Sequence, residues 1–121
     1  MKIIGHRGAR REAPENTLSG YRHLRTLAVR AVEFDIQVSA DGKLVIIHDP
    51  AVERTTSGRG AVSEYLASEL AALDACHLAF PDWPVSEGVP RLEEVLALLP
   101  DFDHLELEVK ARTAEDEAQV I

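Results

Sequence analysis

The sequence predicts an α/β fold built around a mainly parallel sheet. Residues 32–39 and 104–110 alternate between apolar and polar side chains, with the period of two that is typical of strands. Two other segments, one after Thr17 and one from Arg91, carry apolar residues at helical spacing. Because strands and helices alternate along the chain, we expect the strands to pair mainly in parallel, with helices between them.

Composition and charge limit the function classes. The 121 residues contain no linker, repeat or low-complexity run, so we expect one soluble domain. A net charge of −8 argues against nucleic acid or an anionic membrane as partner, since both require clustered lysine and arginine. No segment approaches the ~20 apolar residues of a membrane span, and no signal-peptide core follows Met1. We therefore expect a cytoplasmic protein, in which the single cysteine, Cys76, is a small buried hydrophobic residue.

The first elements are predicted to be a strand, a loop and a helix. Residues 2–5 form a short apolar strand that ends in GHRG, where the glycines let the backbone turn tightly. The segment APENT then interrupts regular structure. Asn16 or Thr17 is expected to cap a helix whose apolar residues run from Leu18 to Leu27.

A hairpin is predicted next, from two strands at 32–39 and 43–48. Asp41-Gly42 between them suits a two-residue type I′ turn. In that register His48 lies directly opposite Asp35, and Glu33 projects from the same face. The alternative interpretation is an ordinary solvated strand face. A slip of one residue would turn the cluster inside out.

The later elements are less regular. Residues 51–60 and 77–90 are predicted to be loops, with a short helix at about 68–73 between them. A second helix is expected over 91–99, and Thr113 is expected to cap a last one. The apolar face expected for the 91–99 helix consists of Leu92, Val95, Leu96 and Leu99. The polar face expected for the last strand consists of Glu106, Glu108 and Lys110.

The polar residues at the strand ends suit metal-assisted phosphoryl chemistry. Carboxylate oxygens suit hard cations such as Mg²⁺ or Ca²⁺, imidazoles suit proton transfer near neutral pH, and an arginine fork suits phosphate oxygens. Each of these residue types alone is weak evidence for such chemistry, because a single histidine at a strand end is more often a structural residue.

Taken together and in order, eight segments resemble the glycerophosphodiester phosphodiesterase family. These are HRG (6–8), APENT (13–17), EFD (33–35), DG (41–42), HD (48–49), ERTT (53–56), VPRLEEVL (89–96) and LEVK (107–110). The resemblance implies a TIM-like (β/α)8 barrel that hydrolyses glycerophosphodiesters to glycerol 3-phosphate and an alcohol.

The resemblance also implies roles for individual residues. His6 and His48 are the general acid and base, so that one deprotonates the attacking hydroxyl or water and the other protonates the leaving alkoxide. Arg7 and Lys110 bind the substrate phosphate. The ligands implied for the divalent cation, Mg²⁺ or Ca²⁺, are Glu33, Asp35 and Glu108.

The length departs from the family pattern. A complete barrel needs about 250 residues, so residues 1–121 would form only the N-terminal portion of a single domain, an incomplete barrel. In one hypothesis the chain is an enzyme once a C-terminal half, a partner or a second copy completes the barrel. In another it is an inactive half-barrel that only associates or binds metal, and a third alternative is a related phospholipase-type phosphodiesterase. Glu106 is either a fourth acid near the metal or a charged rim residue.

Overall fold

The structure is a computed structural model that describes residues 4–8, 12–27, 29–102 and 104–109. Its elements follow the predicted alternation of strands and helices. They are β1 (Gly5–His6), α1 (Leu18–Thr26), β2 (Ala31–Val38), β3 (Leu44–Ile46), a 3₁₀ turn (Val62–Glu64), α2 (Ala67–Ala71), α3 (Leu92–Leu98) and β4 (His104–Val109). Lys110 and Thr113 lie outside the described residues, as do the predicted strand positions 2 and 3.

The sheet is organised around β2. Strands β1 and β4 pair with β2 in parallel, and β3 pairs with it in antiparallel orientation. Val32 pairs with Gly5 of β1 and with Leu105 of β4, so these two strands lie on opposite edges of β2. Ile36 pairs with β3 and with β4. Strands β1 and β3 therefore share one edge of β2, and β4 occupies the other, which confirms the mainly parallel sheet.

The register of the β2–β3 hairpin differs from the prediction by one residue. The backbone N–H of Ile47 donates to the carbonyl of Asp35 at 3.1 Å, so Ile47 and not His48 lies opposite Asp35. The connecting turn has three residues instead of two. Among them only Gly42 has a positive φ, of 76°, whereas a type I′ turn requires two such residues. His48 lies beyond the end of β3, where the following loop sets its position.

The predicted alternation in β2 is confirmed. Its apolar face contributes Val32, Phe34 and Ile36 to a core that is closed by residues of α1 and α3. Tyr21 of α1 packs edge-to-face on Phe34, with ring centroids 6.0 Å apart. The opposite face of β2 carries the polar side chains and faces the candidate site.

The helices form close to where the pattern predicts them. Thr17 is the N-cap of α1, because its hydroxyl accepts a hydrogen bond from the N–H of Gly20 at 2.9 Å. Helix α2 is shorter than predicted and begins one residue earlier. In α3, Val95 is buried but Leu96 is exposed, so the predicted apolar face is wrong at Leu96. The 3₁₀ turn was not predicted, since three residues are too few to show a period.

A second apolar cluster fixes the loop that follows β3. Val52, in that loop, is fully buried and packs with Val45, Val62 and Leu70. Cys76 is buried and free, as expected of a small hydrophobic residue. Within the described ranges, no helix has the length and apolar character that crossing a bilayer requires.

Candidate active site

Three carboxylates converge where β2 and β4 run side by side. Their parallel register places Asp35 beside Glu108 and Glu33 beside Glu106. One carboxylate oxygen from each of Glu33, Asp35 and Glu108 lies within 4.8 Å of the other two. This grouping of oxygen ligands is of the kind that Mg²⁺ and Ca²⁺ bind.

Two of these carboxylates have a buried oxygen that accepts no hydrogen bond from the described residues, as expected where a cation binds. Asp35 is fully buried, yet among the described residues no donor reaches its Oδ1 or the buried Oε1 of Glu33. Leaving a buried carboxylate oxygen without a partner is costly, and a divalent cation coordinated by these oxygens would remove that cost. The three side chains could therefore hold one divalent cation.

The position of Glu33 in this acidic group shifts its pKa. Burial, followed by the negative charge of Asp35, raises the pKa of Glu33 from 4.5 to about 7. A protonated Glu33 relieves the repulsion between the two carboxylates when no cation is bound. A cation would favour the charged form of both.

His6 and Arg7 reach the acidic group from the end of β1. The N–H of Arg7 donates to the carbonyl of Glu33 at 2.9 Å, and its backbone then turns through the left-handed region with φ of 52°. As a result, Nε2 of His6 lies 3.1 Å from Oε2 of Glu33, and the imidazole remains half-exposed. The guanidinium of Arg7 lies between two acids, with Nε 3.7 Å from Asp35 Oδ2 and Nη1 3.6 Å from Glu15 Oε2.

Asn16 connects the first loop to the acidic group. Its side-chain N–H donates to Asp35 Oδ2 at 3.1 Å, and its Oδ1 accepts a hydrogen bond from the hydroxyl of Tyr21 at 2.7 Å. The N–H of Asn16 also donates to the carbonyl of Arg7 at 2.9 Å. Because Thr17 is the N-cap of α1, the side chain of Asn16 does not cap the helix and bonds to Asp35 instead. From the sequence, Asn16 was one of two candidate caps of the helix, and Tyr21 had no signal beyond its apolar spacing.

His48 approaches from the loop after β3. Its Nδ1 lies 2.7 Å from Oδ1 of Asp49, and its carbonyl accepts a hydrogen bond from Gln37 at 3.0 Å. His48 lines a small cavity together with Glu15 and Asn16. His48 thus meets the same loop that carries Asn16, although it does not lie opposite Asp35 in the sheet.

The predicted site residues divide into three groups. Glu33, Asp35, Glu108, His6 and Arg7 form one cluster. His48 stands apart from it and lines a small cavity with Glu15 and Asn16 of the 13–17 loop. Glu106 is exposed, and its Oε1 lies 2.9 Å from Nε2 of His104. Lys110 lies outside the described residues, so its role stays a prediction.

Sequence reasoning missed two charged residues near His48. Arg54 and Glu15 form a bidentate ion pair, with nitrogen to oxygen distances of 3.0 and 2.9 Å. The only signal for them was their place in the ERTT and APENT segments, because no periodicity reports a contact between two loops.

Comparisons with known proteins identify the family of the chain. The sequence-family model for the glycerophosphoryl diester phosphodiesterase family matches residues 6–119. A glycerophosphodiester phosphodiesterase of Caldanaerobacter subterraneus is 38% identical over 110 residues, which cover 90% of this chain and 45% of that protein. One of Bacillus altitudinis is 39% identical over 98 residues, which cover 81% of this chain and 40% of that protein.

Solved structures show the same likeness. A glycerophosphodiester phosphodiesterase from Agrobacterium tumefaciens superposes with a TM-score of 0.84 at 38% identity, covering 99% of this chain and 52% of that one. An Oleispira antarctica phosphodiesterase in complex with the product sn-glycerol-3-phosphate superposes with a TM-score of 0.83 at 34% identity. The match covers 91% of this chain and 44% of that one. The chain therefore spans about half the length of these relatives. The predicted incomplete TIM-like barrel is confirmed.

Proposed function

Because the chain belongs to the glycerophosphoryl diester phosphodiesterase family, we propose that it provides the catalytic half of an enzyme that hydrolyses glycerophosphodiesters to glycerol 3-phosphate and an alcohol. The observation that carries the proposal is the convergence of Glu33, Asp35 and Glu108 within 4.8 Å, with His6 and Arg7 beside them. The names of the relatives described above favour this hydrolysis over the related phospholipase-type alternative. The cytoplasmic location stays a prediction.

Each part of this site has a proposed task. The three carboxylates hold a divalent cation, Mg²⁺ or Ca²⁺, which when bound supplies positive charge that polarises the phosphoryl group. Arg7 adds a fixed positive charge at the edge of the same group and binds a phosphate oxygen. If the substrate phosphate occupies this edge, the guanidinium neutralises charge that develops on the phosphoryl oxygens.

Proton transfer is assigned to the two histidines. His6 lies at the end of β1 beside Glu33, and His48 lies in the loop after β3, where it lines a small cavity with Glu15 and Asn16. An acid and a base held by different chain segments suit a displacement in which one proton leaves the nucleophile and another reaches the leaving oxygen. Lys110, by motif, adds a further charge to the phosphate.

Activity of the 121 residues alone is a separate matter. The described sheet has four strands, of which three are parallel, whereas a closed barrel has eight. We propose that a C-terminal half, or a second copy of the chain, supplies the remaining wall of the substrate pocket.

The test is release of glycerol 3-phosphate from glycerophosphocholine by the purified chain. The assay is run with Mg²⁺, with Ca²⁺ and with EDTA, and the mass of the protein in solution is measured on the same sample. The double substitution Glu33→Gln, Asp35→Asn removes two charges from the site, and Glu93→Gln on the exposed side of α3 is the matched control.

Turnover that EDTA and the double substitution abolish, but the control keeps, supports the proposal. Turnover that survives both contradicts the metal role. A folded chain that binds the cation without turnover supports the inactive half-barrel. The measured mass then shows whether a second copy accompanies activity.

A further inference from the structure

The guanidinium of Arg54 lies between two carboxylates that belong to different loops. Its Nε and Nη2 donate to Asp49 Oδ2 and Oδ1 at 2.7 and 3.0 Å. Its Nη1 and Nη2 donate to Glu15 Oε1 and Oε2 at 3.0 and 2.9 Å. Both pairs are bidentate, which is the geometry in which an arginine fork fixes a carboxylate in orientation as well as in position.

Asp49 is in turn the partner of a histidine to which the proposed function assigns proton transfer. Its Oδ1 lies 2.7 Å from Nδ1 of His48. The hydrogen bonds from Arg54, followed by the one from His48, lower the pKa of Asp49 from 3.8 to about 2. The carboxylate is therefore ionised and can only accept, so the proton in the contact belongs to Nδ1 of His48.

We propose that Arg54 is a positioning residue, which clamps Asp49 against His48 so that the neutral imidazole carries its proton on Nδ1 and exchanges protons through Nε2. The geometry carries this inference by itself, and only its catalytic consequence rests on the proposed function. A histidine held in the wrong tautomer presents a proton where the reaction requires a lone pair.

The same clamp reaches the phosphate side of the site. Glu15, which accepts two hydrogen bonds from Arg54, also lies 3.6 Å from Nη1 of Arg7. Arg7 contacts Asp35 in turn. The loop that carries His48 and the loop that follows His6 are thus joined by one continuous series of charged groups, with Arg54 at its centre.

The simpler explanation is a surface ion pair without function. The side chain of Arg54 is 46% exposed, and exposed ion pairs contribute about 0–1 kcal/mol to stability. A stability measurement alone would therefore not separate the two explanations. Two observations favour the positioning role. One guanidinium makes four hydrogen bonds to two carboxylates, and one of these carboxylates, that of Asp49, contacts His48.

The test reads the tautomer of His48 directly. The chain is labelled with ¹⁵N at histidine, and the imidazole nitrogen shifts are measured at pH 8 and assigned with His48→Gln. We expect Nδ1 to carry the proton in the unsubstituted chain. In Arg54→Gln the signals shift toward the mixture of tautomers of an exposed histidine, and Arg54→Lys restores the original state only in part, since an ammonium cannot hold two carboxylates in bidentate geometry.

A second variant and a control keep the test independent of folding. Asp49→Asn places an amide N–H₂ group within reach of Nδ1, so it favours a proton on Nε2. Arg59→Gln removes an exposed arginine of the same loop whose side chain has no ion pair within the described residues, and it leaves the shifts unchanged. Two results would overturn the inference. One is a proton on Nε2 instead of Nδ1 of His48 in the unsubstituted chain, and the other is unaltered imidazole nitrogen shifts in both Arg54→Gln and Asp49→Asn.

The kinetic consequence is measured separately. Where the chain, alone or completed to a full barrel, turns over glycerophosphocholine, Arg54→Gln lowers kcat by about 10–100-fold, the loss that follows removal of a group that orients a functional histidine, and it changes KM little. An unchanged kcat contradicts the inference while leaving the proposed function intact. If no form turns over, the proposed function fails, and the tautomer measurement still decides the role of Arg54.

Discussion

Asn16 donates a hydrogen bond from Nδ2 to Oδ2 of Asp35 at 3.1 Å, and both side chains are buried. The contact ties the loop before α1 to the middle of β2. It also occupies one oxygen of a carboxylate whose other oxygen, Oδ1, has no hydrogen-bond donor among the described residues. The orientation of Asp35, and with it the geometry of the candidate metal site, thus depends on a residue that carries no charge.

Replacement of Asn16 is expected to destabilise the chain. Asn16→Gly leaves Asp35 Oδ2 and the hydroxyl of Tyr21 without their partner, at a cost of about 1–3 kcal/mol. Asn16→Ala costs about 1 kcal/mol more, because the residue has φ of 52°, where a Cβ is strained. Urea denaturation measures both, with the exposed Ser63→Ala as control. Equal stability of the Gly and Ala variants would contradict the backbone part of the prediction.

Metal binding and turnover are expected to separate by residue type. His6→Ala and His48→Ala should abolish turnover and leave cation affinity largely intact, because imidazoles are assigned to proton transfer. Glu33→Ala and Asp35→Ala should weaken both, since each removes a ligand oxygen. Titration calorimetry with Mg²⁺ and Ca²⁺ measures the affinity. Full activity of His48→Ala would refute its acid-base role, and undiminished affinity in the double carboxylate variant would refute the metal site.

The metal-free chain is expected to lose stability as the pH rises from about 4.5 to about 7. The folded state raises the pKa of Glu33 to about 7, so between these values the folded chain binds more protons than the unfolded chain, and the free energy of unfolding falls with pH. In EDTA at pH 8, Glu33→Gln should therefore stabilise the chain by about 1–2 kcal/mol, after allowance for solvent screening. At pH 4 the two chains should be alike. Destabilisation at pH 8 would contradict the prediction.

His77 is expected to hold its loop only while it is protonated. Its Nδ1 lies 2.8 Å from Asp74 Oδ2 and its Nε2 lies 2.8 Å from the carbonyl of Trp83, and both partners are acceptors. The hydrogen bond to Asp74, followed by the one to Trp83, raises the pKa of His77 above 6.5. The stabilisation is therefore complete below 6.5 and lost as the pH rises through the folded-state pKa.

Hydrogen exchange of residues 74–87 as a function of pH measures this effect. Exchange should accelerate with rising pH beyond its intrinsic increase, and His77→Gln should remove that excess. The exposed Ser86→Ala is the control. An excess that persists in His77→Gln would assign it to another group.

Gly20→Ala is expected to destabilise α1, although alanine is the better helix former by about 1 kcal/mol. A Cβ on Gly20 would overlap the carbonyl oxygen of Pro14, which the helix meets at its first turn. Forcing the two apart costs about 1–3 kcal/mol and displaces the loop that carries Asn16. Thermal unfolding measures the difference, with the exposed Ser68→Ala in α2 as control. A raised melting temperature would show that the loop can move without cost.

The β2–β3 turn shows where local sequence rules reach their limit. Asp41-Gly42 suits a type I′ turn in isolation. In the fold, however, Oδ1 of Asp41 accepts hydrogen bonds from the hydroxyl of Ser39 and from the N–H of Ala67 at the start of α2. These contacts hold a three-residue turn and shift the register by one. The competing partner, Ala67, is 26 residues away in the chain, so no local pattern reports it.

By itself the sequence indicated the order of the strands and main helices and the residue types of the site. Period-two alternation placed Phe34 on one face of β2 and Asp35 on the other, because side-chain burial in a strand follows its pleat. The order of the motifs indicated the family and the three carboxylates. Tertiary structure alone decided how His48 and Arg54 are placed, because they lie on a loop whose position depends on hydrogen bonds to distant residues. Periodicity records which side of an element is buried, whereas contacts between loops depend on chain segments that meet only after folding.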